Sequence, residues 1–107
     1  MGYYTDSAFV SHSFLRDRNG SFTTFDVPGA TAGPGTFPFA ISVDGEITGF
    51  YDNGINANHG FLRDSNGVFT YFDVTGATDT IPIGLNDSGV STGYYRDTLG
   101  AAHGFIR

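Results

Sequence analysis

Short runs of apolar and aromatic residues alternate with clusters of Gly, Asn, Asp and Ser along the whole chain, and no helical period appears. The middle of the sequence reads most clearly. Phe37 to Val43 is a strand, and Asp44-Gly45 is a tight turn. Glu46 to Asp52 is a second strand, followed by a polar loop from Asn53 to Asn58. His59 to Asp64 is a third strand, Ser65-Asn66-Gly67 a turn, and Val68 to Val74 a fourth strand. Part of this pattern precedes the middle copy and part follows it. The expected total is therefore about ten strands, grouped as three, four and three. Within the fourth strand Val68, Phe72 and Val74 fall on one face and Phe69 and Tyr71 on the other. Apolar residues on both faces predict small sheets sandwiched between others, because an open antiparallel sheet is apolar on one side only.

The same segments recur. Gly2-Tyr3-Tyr4 returns as Gly49-Phe50-Tyr51 and Gly93-Tyr94-Tyr95. Ser11 to Asp17 returns as Asn58 to Asp64 and again as Ala102 to Arg107. Phe22 to Val27 returns as Phe69 to Val74, and Gly29-Ala30-Thr31 as Gly76-Ala77-Thr78. The histidines at the head of the third strands are 47 and then 44 residues apart. The difference falls between Thr31 and Thr36, which must therefore be loop. Four-stranded antiparallel units of about 40–50 residues, stacked face to face, describe the blades of a β-propeller. The predicted fold is all-β, with a partial unit over 1–36, a full unit over 37–80 and a partial unit over 81–107. A two-sheet sandwich also fits the strand count, but it leaves the outward aromatics and the repeat unexplained.

His-Gly-Phe-Leu-Arg-Asp (59–64), Asn-Gly (66–67), Phe-Thr-Tyr-Phe-Asp-Val (69–74), Gly-Ala-Thr (76–78) and Gly-Leu-Asn-Asp-Ser-Gly (84–89) resemble the bacterial extracellular HAF-type repeat. The resemblance covers essentially the whole chain. It implies a propeller related in pattern to the WD-repeat and kelch types. It also implies an extracellular or cell-surface parent protein, and no known reaction. The chain departs from the pattern at Ser13, where the other copies have Gly60 and Gly104, and at Val43, where the next copy has Asp87.

Composition narrows the partners. The formal charge is -6 with 5 Lys+Arg in 107 residues, so there is no electrostatic footprint for nucleic acid. No apolar run is long enough to span a membrane as a helix. No signal-peptide pattern precedes the repeat, which points to a short intracellular frame or to part of a longer secreted parent. With no cysteine, neither disulfides nor thiolate metal sites are available. No cofactor or metal is expected.

Several residues invite a functional reading. His12, His59 and His103 lie one repeat apart, so a structural role, each ring bonding a neighbouring turn, is preferred to metal binding. Arg16, Arg63 and Arg107 recur beside Asp17, Asp64, Asp26 and Asp73 and suggest ion pairs between units. Asp52-Asn53-Gly54 and Asn86 to Gly89 lack the ligand spacing of a calcium loop and read as Asx-turns. Tyr4, Tyr51 and Tyr95 hold equal repeat positions near Asp6, Asp52, Asn53 and Asp97. Aromatic rings beside carboxylates and amides suit a sugar: CH groups stack on the ring and polar groups take the hydroxyls. Packing between units is the simpler role for the tyrosines.

The expected function is a non-enzymatic extracellular binding or scaffold module. The alternatives are a lectin with one weak site per unit and, least favoured, an enzyme fragment. The expected partner is the chain itself, as a homo-oligomer (a dimer by preference) that completes a ring, with a glycan or surface protein as ligand.

Overall fold

The structure is a computed structural model that describes residues 1–30, 34–52, 54 and 57–107. It is all-β. Among the described residues ten strands follow one another: β1 (Gly2–Thr5), β2 (Ser11–Arg16), β3 (Phe22–Phe25), β4 (Gly35–Ile41), β5 (Ile47–Asp52), β6 (Asn58–Arg63), β7 (Phe69–Phe72), β8 (Asp79–Leu85), β9 (Ser91–Arg96) and β10 (Ala102–Ile106). They group as three, four and three, as the repeat predicts. Each group is an antiparallel meander: β1-β2-β3 is unit 1, β4-β5-β6-β7 unit 2 and β8-β9-β10 unit 3. Units 1 and 2 are joined into one seven-stranded sheet by a single parallel bridge, Ser11 to Gly35. Unit 3 is a separate three-stranded sheet. Among the described residues the sheets do not close into a ring.

One local device makes most of the turns. Asp6–Val10, Asp17–Ser21, Ser42–Glu46, Asp64–Val68, Asn86–Val90 and Asp97–Ala101 share it. In each, the first N–H donates to the fifth carbonyl and the fourth N–H to the first carbonyl. In the Asp and Asn turns the leading side chain accepts from the third and fifth N–H groups as well. The fourth residue must take a left-handed backbone. Gly20, Gly45, Gly67, Gly89 and Gly100 do so with φ between 79° and 87°. Phe9 holds the same place in the first turn with φ 63°. Asn86–Gly89 is thus an Asx-turn, as the sequence suggests. Val43 lies in a turn, not in a strand, and is 81% exposed.

The first strands of units 2 and 3 carry the same irregularity, a bulge between Pro38 and Ala40 and between Pro82 and Gly84. Proline has no N–H for the ladder and is tolerated at such a bulge. The partner residues across the ladder are Gly49 and Gly93.

The core lies between units 1 and 2. Phe25, Val27 and Ala30 from the first meet Ile47 and Phe61 from the second, with Leu15, Tyr51 and Phe69 packed around them. Between units 2 and 3, Phe72 meets Phe105 edge-on, with ring centroids 6.2 Å apart. Seven phenylalanines are expected to be buried between sheets. Phe61 and Phe25 are buried; Phe14, Phe69, Phe72 and Phe105 are half-buried. Phe22, at the start of edge strand β3, is 64% exposed.

Candidate functional site

The tyrosines and histidines of the repeat meet across the strands. Tyr4 is paired in register with His12, Tyr51 with His59, and Tyr95 with His103. Residues directly opposite on a ladder share a face. The rings therefore lie together, with centroids 5.3, 5.3 and 5.1 Å apart. The sequence places each tyrosine near an acidic loop; the His ring as its immediate neighbour emerges only from the register.

Each histidine is anchored by aspartate. His12 Nδ1 meets Asp26 Oδ2 at 2.7 Å, and its Nε2 meets Asp6 Oδ2 at 2.8 Å. His59 Nδ1 meets Asp73 at 2.9 Å, and His103 Nε2 meets Asp97 at 2.8 Å. The partners follow the repeat: one Asp lies 14 residues after the His, the other 6 before it. Asp6 and Asp97 also cap their turns through Oδ1. The clamp thus ties the head of the third strand to the turn before it in units 1 and 3, and to the residue after the fourth strand in units 1 and 2. His12 and His103 each bond the Asp that leads the preceding turn, and His59 bonds Asp73. The equal spacings of His and Asp in the sequence carry the signal, but the sequence alone does not select these aspartates.

The electrostatics follow from the geometry. Ionised carboxylates only accept, so both nitrogens of His12 donate and the ring holds its second proton. Hydrogen bonds to Asp26 and then Asp6 raise its pKa above the ordinary histidine value. The bond to His12 lowers Asp6, and the bond to His103 lowers Asp97, below the usual carboxylate value. Burial, with Asp73 and Tyr71 next, raises the Tyr51 hydroxyl. With both nitrogens engaged, His12 has no lone pair for a metal or for general-base work. Among the described residues no group of three His, Asp or Glu side chains is placed to hold a metal ion.

The other candidates distribute unevenly. Tyr4 is 47% exposed, whereas Tyr51 packs on the core and meets Tyr71 edge-on at 5.6 Å. Tyr95 and Asp97 are brought together through His103. Asp52 is buried, and its Oδ1 accepts from the Gly54 N–H. As neighbours on a strand, Tyr51 and Asp52 point to opposite faces. Asn53 lies outside the described residues.

The arginines correct the expected ion pairs. Among the described residues Arg16, Arg63 and Arg107 have no carboxylate within 4.0 Å; the one Arg–carboxylate pair is Arg96 with Asp79. Arg63 of unit 2 instead lies over the Phe25 ring of unit 1, 4.9 Å from its centroid. Arg107 of unit 3 lies over Phe72 of unit 2 at 4.4 Å. The physical reason is register: Arg63 pairs with Phe69 and Gly60 with Phe72, so the fourth-strand phenylalanine is offered to the next unit's arginine while the aspartates face the histidines. A second contact repeats the same step. Val27 N–H donates to Thr36 Oγ1 and Val74 N–H to Thr80 Oγ1, both at 3.0 Å.

What the arrangement offers chemically is a recurring cluster of Tyr, His and Asp, once per unit. No family model, no characterised protein and no solved structure matches the chain.

Proposed function

We propose that the chain is a non-enzymatic β-propeller-type repeat module of an extracellular or cell-surface protein, a binding scaffold that assembles with copies of itself into a ring. One observation carries this reading. Units 1 and 2 meet through Arg63 on Phe25, and units 2 and 3 meet through Arg107 on Phe72. The threonine bonds to Val27 and Val74 repeat in the same way. A constant step between like units is a heterologous contact, and iterating it closes a ring when the rotation divides the circle. The HAF-type motifs support the propeller and the extracellular setting. The non-enzymatic reading rests on repetition: the polar cluster recurs in every unit, while an active site draws on side chains that occur once.

Carbohydrate is the ligand class we favour for the scaffold, on one specific observation. Tyr4 stays half-exposed beside the charged His12 and its two aspartates. Its free ring face suits a sugar, and weak sites on several units reinforce one another. Negative-stain electron microscopy tests the assembly, with rings of uniform diameter expected. A field of particles with no ring contradicts it. A glycan array tests the ligand: retention lost in Tyr4→Ala is expected, and an array without signal contradicts the lectin reading alone.

A further inference from the structure

Asn-x-Ser, the acceptor pattern of N-linked glycosylation, occurs twice in the chain, as Asn19-Gly20-Ser21 and Asn86-Asp87-Ser88. Both fall in the five-residue turn described above, but at different places in it. Asn86 leads its turn, whereas Asn19 is third in its own. The place decides what each side chain is free to do. Asn86 Oδ1 accepts from the N–H groups of Ser88 and Val90 at 2.9 and 3.0 Å. Its amide is folded onto the backbone that it caps, and drawing it out breaks both bonds. In the turn 17–21 that task falls to Asp17, whose Oδ1 accepts from the N–H groups of Asn19 and Ser21 at 2.8 and 3.0 Å. The Asn19 amide is spared. Asn19 and Ser21 are both exposed, and among the described residues neither side chain has a hydrogen-bond partner. Between them is Gly20, with φ 87° and no side chain to obstruct the approach.

We propose that Asn19 is an acceptor for an N-linked oligosaccharide, with the Ser21 hydroxyl as the group that a transferase reads beside it. The inference rests on the extracellular reading above, since this modification marks the surface turns of exported chains. The donor class is an oligosaccharide linked to a lipid through a diphosphate. Asn19 Nδ2 bonds C1 of the first sugar as the bond from C1 to the diphosphate oxygen breaks. The amide releases one proton and the lipid diphosphate leaves, so nothing is oxidised or reduced.

The position suits the rest of the molecule. β2 carries His12 near its head and the turn at its foot, so a glycan on Asn19 leaves the Tyr4–His12 cluster uncovered. The turn leads into Phe22, which opens edge strand β3 and is 64% exposed. A bulky hydrated group there hinders edge-to-edge pairing of sheets. The matching turn of unit 2 supplies an internal comparison. It has the same cap, Asp64, and the same Asn-Gly pair, but Val68 stands where unit 1 has Ser21.

The test is transfer to the folded chain by a purified oligosaccharyltransferase and a lipid-diphosphate oligosaccharide, read by intact mass and peptide mapping. A peptide of residues 14–24 is run beside it. One added glycan on Asn19 is expected, lost in Asn19→Gln and in Ser21→Ala and kept in Asn86→Gln. Val68→Ser, an exposed change that completes the motif in the matching turn, is expected to add a second glycan, on Asn66. A peptide that is modified while the folded chain is not overturns the presentation by the turn, and no transfer to either overturns the acceptor. Transfer to Asn86 as complete as to Asn19 also overturns the argument. Melting curves of the variants confirm that each is folded when assayed. Transfer in the test tube does not depend on where the parent protein resides, so its failure leaves the extracellular reading standing. A parent protein that fractionates only inside its cells contradicts that reading and leaves the transfer result as it is.

Discussion

Replacing Phe9 by Gly is expected to stabilise the protein. Phe9 holds the fourth position of a turn that occurs six times, and the other five examples have Gly there. Its φ of 63° is left-handed, which costs an L-residue roughly 1–2 kcal/mol. The ring returns little of that, because Phe9 is 82% exposed. Glycine removes the strain but adds backbone freedom to the unfolded chain, a penalty of about 0.5–1 kcal/mol. The difference leaves a net gain of about 0.5–1 kcal/mol. For a chain of this size that raises the Tm by roughly 2–8 °C. Thermal melts by circular dichroism, with urea titration for the free energy, measure it. Gly100→Phe, the reverse change in the matching turn, is expected to lower stability by a similar amount. A Phe9→Gly variant that melts below the parent refutes the reasoning, since the ring would then be making contacts worth more than the strain.

Phe61→Ala removes a ring with no exposed surface from the junction of units 1 and 2 and is expected to cost roughly 3–5 kcal/mol by urea titration; an unchanged midpoint contradicts the core assignment. Arg63→Ala, which strips the cation from Phe25, is expected to destabilise by about 0.5–2 kcal/mol, and Arg16→Ala by less, because no aromatic ring lies under Arg16 among the described residues. Equal losses in the two variants argue against the stacking. Stability also depends on pH in two directions. His12 is raised, so its contribution is full below the ordinary value of 6.5 and is lost as pH rises through its folded pKa. Asp6 and Asp97 are lowered, so theirs is present above the ordinary 3.8 and is lost as pH falls through their folded values. The Tm is therefore expected to be highest between about pH 4 and 6.5, and His12→Gln to flatten the alkaline limb; a parent whose Tm does not change between pH 6 and 8 contradicts the clamp.

The sequence makes the strands legible because each turn is written locally. Asp17, Asp64, Asn86 and Asp97 each start a five-residue turn with Gly at the fourth place, and these set the spacing of everything between. Side-chain partners are less legible, because they depend on register. Arg63 is two residues from Phe61 and next to Asp64, so an ion pair is the natural reading; cross-strand pairing instead turns it toward Phe25, 38 positions back along the chain. The bonds from His12 to Asp26 and from His59 to Asp73 have the same spacing in the sequence, yet only the ladder shows why that spacing works. Phe22 and Phe69 match by repeat but differ in burial, because exposure depends on what is stacked outside the unit.

Light scattering on the purified chain in dilute solution tests the central claim, that like units assemble through a repeated step. The expected result is one species at a whole multiple of 11.4 kDa that unfolds cooperatively. A single species at 11.4 kDa with equally cooperative unfolding contradicts the account.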